Sequence, residues 1–174
     1  PYVPLNYCLT GPELEALLAR IDPAYLITDG ERIGKLAHLS GIKSIARENY
    51  LGQVLRKPFA GEPTWSMDAD EIAILLFTSG TTGAPKAAVI RHKHLVSYIL
   101  GSIEFAAAAP EDAVLVCVPP YHIAGTAAIV SSVYAGRRIV QLSSFSPEAW
   151  LDLARKEKVT NAFLVPTMLA RIID

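Results

Sequence analysis

Cysteine is scarce: Cys8 and Cys117 are the only two in a chain of 174 residues. They have neither the density of a secreted disulfide scaffold nor the spacing of metal ligands. A reducing, cytoplasmic compartment and no structural metal are the expectations that follow. Charge of one sign is lacking as well. Sixteen Lys and Arg against 17 Asp and Glu leave a net charge of -1, so there is no electrostatic surplus for gripping nucleic acid or an anionic membrane surface. Any ligand has to be held locally. The chain opens at Pro1 rather than Met and shows no basic, apolar leader, and it is expected to be a piece of a longer protein. Internal repeats and low-complexity tracts are absent too.

One run, residues 113–136, contains no Asp, Glu, Lys or Arg and has the length of roughly 20 residues that a bilayer requires. Pro119, Pro120, His122, Gly125, Thr126, Ser131 and Ser132 interrupt it. A strand followed by a buried helix explains the same composition without stranding polar backbone in lipid, so no transmembrane segment is expected. What the chain does have is apolar residues, 51% against 19% charged, enough for one ordinary domain with a sizeable core.

Thr10 followed by Glu13 has the capping-box pattern, and Leu14, Leu17, Leu18 and Ile21 then recur at helical spacing. Asp22-Pro23 ends that helix. Residues 24–28 read as a short buried strand, 31–39 as a second helix and 42–46 as another strand. From about 48 to 71 the periodicity fades among Gly52, Pro58, Gly61 and Pro63, which predicts a surface connection and a subdomain seam. The seam divides residues 1–71 from 72–174. In the second part, strands at 72–77, 87–90, 114–118, 138–142 and 161–165 alternate with helices at 94–105, 123–134, 146–158 and from 167. Continuous Val, Ile and Leu runs between helices predict an α/β fold with a mostly parallel sheet. Ser146-Pro147-Glu148 opens one of these helices with a good N-cap and Pro at its first position, and Trp150, Leu153 and Ala154 share a face.

The chemistry points to one loop, Thr78-Ser79-Gly80-Thr81-Thr82-Gly83-Ala84-Pro85-Lys86, directly after the most hydrophobic strand and at the edge where open α/β sheets place ligands. Gly80 and Gly83 allow close backbone approach, and successive N–H groups in such a turn form an anion nest. Thr78, Ser79, Thr81 and Thr82 add hydroxyls, and Lys86 adds a compact positive charge suited to phosphate. Pro85 before Lys86 and Ala87 after it exclude a Walker A loop. Composition alone leaves a phosphate cradle and a ligand-free Gly/Thr hairpin equally open.

The nine residues resemble the phosphate-loop signature of adenylate-forming enzymes, the superfamily of acyl-CoA synthetases, peptide-synthetase adenylation domains and firefly luciferase. Pro4-Leu5-Asn6-Tyr7 and Asp70-Glu71-Ile72-Ala73 extend the resemblance over most of the chain. It implies part of the large N-terminal domain of such an enzyme, in which Thr78, Ser79, Gly80, Thr81, Thr82, Gly83 and Lys86 bind ATP with Mg²⁺ while a carboxylate attacks the α-phosphorus and expels pyrophosphate. Ala87 stands where the family usually has Gly. The resemblance implies that the family's adenine-binding segment, ribose-binding Asp, hinge and C-terminal domain with its catalytic Lys are expected beyond residue 174.

A second signature, an aromatic residue followed by His and then Gly, is matched by Pro119-Pro120-Tyr121-His122-Ile123-Ala124-Gly125. It is similar to that of fatty-acyl- and aryl-CoA ligases. Amino-acid-activating relatives carry Asp there, which pairs a substrate ammonium; His offers no such partner. Taken alone, His122 reads as a helix N-terminal residue bonded to backbone. With the resemblance, it stands near the acyl and phosphate groups, and the apolar residues 123–130 form an acyl-chain wall. His92 and His94 lack a third metal ligand nearby and read as polar residues at a helix start, and Arg137-Arg138 as a solvated strand start.

Together these readings imply an acid–thiol ligase: ATP and a fatty or related carboxylic acid give an acyl-adenylate, whose acyl group passes to coenzyme A. Lys86 and His122 are its expected catalytic residues. The alternatives are a fatty-acyl-AMP ligase that serves a carrier protein and a non-catalytic nucleotide-binding module.

Overall fold

The computed structural model describes residues 1–56, 68–78 and 85–173. The chain divides into two compact units, residues 6–67 and residues 1–5 with 68–174.

The first unit opens with helix α1 (Gly11–Leu18), which buries Leu14, Leu17 and Leu18. Both the N–H and the hydroxyl of Thr10 donate to the Glu13 carboxylate, at 2.8 and 2.7 Å. The hydroxyl bond and then the N–H bond hold the Glu13 carboxyl below the usual range. Strand β1 (Ala24–Thr28) and strand β2 (Ile42–Ala46) pair in parallel. They are joined through helix α2 (Gly30–Leu36), whose N-cap Asp29 accepts from the Arg32 N–H at 2.9 Å. β1 is not the buried strand expected, because Tyr25 is 79% exposed and Ile27 46%. Its residues alternate, as in a sheet with one covered face.

The expected irregular connection is also corrected at its start. Helix α3 (Arg47–Arg56) runs through Gly52 and buries none of its residues. A glycine costs about 1 kcal/mol in a helix interior, which weakens the sequence signal without ending the helix. The rest of that stretch, residues 57–67, lies outside the described residues.

In the second unit, strand β3 (Ile72–Thr78) and strand β4 (Lys86–Arg91) form an antiparallel pair. The N-terminal segment lies along β3, where the Tyr2 N–H donates to the Ala73 carbonyl at 2.8 Å and the Leu75 N–H donates to the Tyr2 carbonyl at 3.0 Å. Helix α4 (His92–Ser102) follows β4 directly. Next come strand β5 (Ala113–Val116), helix α5 (Ile123–Ala135), strand β6 (Arg138–Gln141), helix α6 (Pro147–Lys156), strand β7 (Asn161–Phe163) and helix α7 (Pro166–Ile173). The three strands form a parallel sheet in the order β6-β5-β7.

All four residues of β5 are buried, as a central strand covered on both faces requires. Ala113, Leu115 and Cys117 pack with Val140 against Trp150, Leu153, Ala154 and Met168 of α6 and α7. On the other face Val114 and Val116 meet Ala128 and Ile129 of α5. The result is an α/β sandwich with helices on either side of a parallel sheet. The expected N-cap is in place, with the Ser146 hydroxyl accepting from the Ala149 N–H at 3.1 Å. No helix among the described residues is long and apolar enough to cross a membrane.

Candidate functional site

The strands expected on either side of the glycine-rich run are present, but β3 and β4 pair antiparallel, so the run does not follow a strand of the parallel β6-β5-β7 sheet, whose carboxyl edge was the expected place. Ser79, Gly80, Thr81, Thr82, Gly83 and Ala84 lie outside the described residues. Its two ends are described: Thr78 and Lys86 stand directly opposite each other as the last cross-strand pair. The Thr78 hydroxyl donates to the Lys86 carbonyl at 3.4 Å. Residues directly opposite in a ladder share a face, and alternate residues of one strand do too, so Thr78 and Lys86 stand on the face where Ile74 and Leu76 are buried. A buried apolar ladder thus leads to an exposed hydroxyl and an exposed ammonium at the hairpin's loop end.

The far end of the hairpin is stapled. Lys93 pairs with the Asp70 carboxylate, and Arg91 donates to the Asp70 carbonyl. The Lys93 hydrogen bond, together with its charge, holds the Asp70 carboxyl below the usual carboxylate range. His92 and His94 sit in the first turn of α4, and the Arg91 N–H donates to His94 Nδ1 at 3.2 Å. Arg138 starts β6 as an exposed residue, as expected, and also pairs with Glu157, Nη1 standing 2.8 Å from Oε2.

The second motif occupies the turn from β5 to α5. Parallel pairing sets Val116 opposite both Gln141 and Phe163, so this turn opens at the carboxyl edge of the sheet. His122 is the N-cap residue of α5, with φ -102° and ψ 141°, and its side chain makes no cap hydrogen bond. The exposed imidazole lies against the Tyr121 ring, with centroids 4.7 Å apart.

The backbone of this turn is closely fixed. The His122 N–H donates to the Pro119 carbonyl at 3.0 Å, and the His122 carbonyl accepts from the Gly125 N–H at 3.0 Å. The Thr126 hydroxyl donates to the Pro120 carbonyl at 3.1 Å. Sequence reasoning passed over Thr126 as a functional residue; a Thr buried in an otherwise apolar helix turn was the available signal. Nearby Cys117 is no candidate nucleophile, since burial pushes its thiol up and thiolate is the reactive form. The small residues of α5 are spent on packing: Gly125, Ala128, Ser132 and Ala135 are buried, whereas Ile123 beside His122 is 48% exposed.

The model of the AMP-binding enzyme family matches residues 1–174. The chain belongs to that family. It is 31% identical over 180 residues to a feruloyl-CoA synthase of an Amycolatopsis species, an alignment that covers 98% of this chain and 34% of that protein. The o-succinylbenzoate CoA synthetase of Bacillus subtilis, solved with its acyl-adenylate intermediate, superposes with a TM-score of 0.76. The two are 29% identical over 98% of this chain and 44% of that one. ATP-bound MatB of Rhodopseudomonas palustris superposes with a TM-score of 0.84 at 26% identity, over 99% of this chain and 36% of that one. The chain thus spans about a third of the length of the curated relatives it matches.

Proposed function

We propose that this chain is the phosphate-binding and acid-recognising part of an acid–thiol ligase, acting in the cytoplasm on MgATP, a carboxylic acid without an α-amino group, and coenzyme A. The observation that carries the reading is the pairing of Thr78 with Lys86 at the loop end of the β3–β4 hairpin in a chain that matches the AMP-binding family throughout. The ATP bound by MatB and the acyl-adenylate bound by the Bacillus synthetase support the same substrate and intermediate here.

In the first half-reaction a carboxylate oxygen attacks the α-phosphorus of ATP, the bond to the bridging oxygen breaks, and pyrophosphate leaves. Lys86, the hydroxyls of Thr78, Ser79, Thr81 and Thr82, and the backbone at Gly80 and Gly83 hold the phosphates and meet the charge that grows on the leaving group. Donors fixed in advance stabilise developing charge without reorganising. In the second half-reaction the thiolate of coenzyme A attacks the acyl carbon, and AMP departs.

His122 stands at the acid end. Its position at the N-terminus of α5 favours a carboxylate over an ammonium, because the helix dipole is positive there. Exposed Ile123, directly beside His122, supplies an apolar contact at that end of α5. The names of the feruloyl and succinylbenzoate relatives favour an aryl-bearing acid over the fatty acid expected from sequence.

The test is carboxylate-dependent exchange of labelled pyrophosphate into ATP by a full-length protein carrying this chain, across aryl acids, fatty acids and amino acids. Exchange with aryl acids, falling about 100-fold or more in Lys86→Ala, is the expected result. No exchange with any acid from folded protein overturns the reading.

A further inference from the structure

We propose that Gly125 and Thr126 are positioning residues for His122, fixing where its imidazole stands by clamping the β5–α5 turn from the helix side. The inference deepens the reading above and rests on it for its kinetic consequence. Gly125 adopts an ordinary helical conformation, so conformational freedom does not explain it. Space does. A Cβ at Gly125 would lie 2.6 Å from the Pro119 carbonyl oxygen and 2.7 Å from that of Val118, and neither neighbour is the end of a flexible side chain. Both are main-chain oxygens in the turn just past the fully buried β5, Val118 itself being buried, so the helix would have to move instead.

The oxygen that a methyl group would strike is also the acceptor of the His122 N–H, at 3.0 Å. Pushing α5 off Pro119 therefore stretches the hydrogen bond that sets the N-cap residue. Thr126 closes the other side: its hydroxyl occupies the Pro120 carbonyl at 3.1 Å and ties the second turn of the helix to the residue before Tyr121. His122 has no side-chain cap bond of its own, so the backbone and the Tyr121 ring are what hold its imidazole. A displacement of about 1 Å at a reacting group costs up to 100-fold in rate, so an extra methyl here acts on the chemistry without touching substrate.

The experiment uses a full-length protein carrying this chain, with histidine labelled at Cε1 and the His122 resonance assigned by its loss in His122→Gln. Gly125→Ala is compared with Gly101→Ala, a control in α4 where an added Cβ meets nothing within 4 Å. The expected result is that Gly125→Ala shifts the His122 resonance while those of His38, His92 and His94 stay put, and that Gly101→Ala shifts none of the four. In the kinetics, Gly125→Ala should lower kcat/KM for the acid about 10- to 100-fold with KM for ATP within twofold. Thr126→Val should move both readouts the same way by a smaller amount, and Thr126→Ser should restore them. An unmoved His122 resonance in Gly125→Ala, or equal losses toward acid and ATP, overturns the proposal. A shifted resonance in a protein whose parent form shows no exchange with any acid upholds the positioning role and overturns the proposed function instead.

Discussion

Two glycines, Gly125 within α5 and Gly136 just past its end, are required for opposite physical reasons. Gly136 ends the helix at φ 75°, and an added Cβ there would meet nothing within 4 Å. Its neighbours close the helix end, with the Gly136 N–H donating to the Val133 carbonyl at 3.1 Å and the Arg137 N–H donating to the Ser132 carbonyl at 2.8 Å. The cost of a side chain at Gly136 is therefore purely conformational. Gly136→Ala should destabilise by about 1–2 kcal/mol, read as a fall in thermal midpoint of roughly 2–4 °C per kcal/mol for a chain of this size. Gly125 is the converse case, with ordinary dihedrals and no room. A unit change in side-chain size at the two positions thus separates stability from function: Gly136→Ala should lower the melting temperature without redirecting acid preference. An unchanged midpoint would refute the αL requirement.

At the scale of elements, the start of the central sheet is held by a polar clamp between residues far apart in sequence. Asp112 and Thr160 are 48 residues apart, yet the Thr160 hydroxyl donates to Asp112 Oδ1 at 2.9 Å. The same hydroxyl oxygen accepts from the Ala113 N–H at 3.1 Å, and the Ala109 N–H donates to Asp112 Oδ2 at 3.0 Å. The Thr160 hydroxyl first, then the Ala109 N–H, holds the Asp112 carboxyl below the ordinary aspartate value. A carboxyl lowered on folding contributes stability that is fully present above its unfolded value and is lost as pH falls through the folded one. The gap in urea midpoint between the parent protein and Asp112→Ala should therefore hold steady from about pH 7 to 5 and close below that. A gap that widens with acid would contradict the clamp.

Local signals were well read where they were strong. Thr10 with Glu13, Ser146 with Pro147, and the uninterrupted apolar run of β5 are all complete within a few residues, so the elements they announce were legible. What was missed depends on partners distant in sequence. The exposed face of β1 and the Asp112–Thr160 clamp are set by which segments meet. Gly52 hid α3 because an exposed helix that buries none of its residues has no apolar periodicity to outweigh one helix-weakening residue. For the site, residue types announced the loop and the His122 turn, but not that Gly125 and Thr126 hold the latter.

Taken as a whole, the molecule distributes its core unevenly. Ala113 and Leu115 of β5 are fully buried, while α3 of the smaller unit buries nothing. Amide exchange follows such differences in local opening. Protection should be highest in β5 and lowest in α3, measured by hydrogen exchange with mass spectrometry; α3 protected as strongly as β5 would refute this. The parallel register carries a longer consequence. Because Val116, Gln141 and Phe163 finish side by side, the three segments that follow them emerge along one rim of this sheet, away from the residues packed on its two faces. Substitutions in those brief stretches can then alter the rim without touching the buried strands. Diversification is separable from foldability in this architecture.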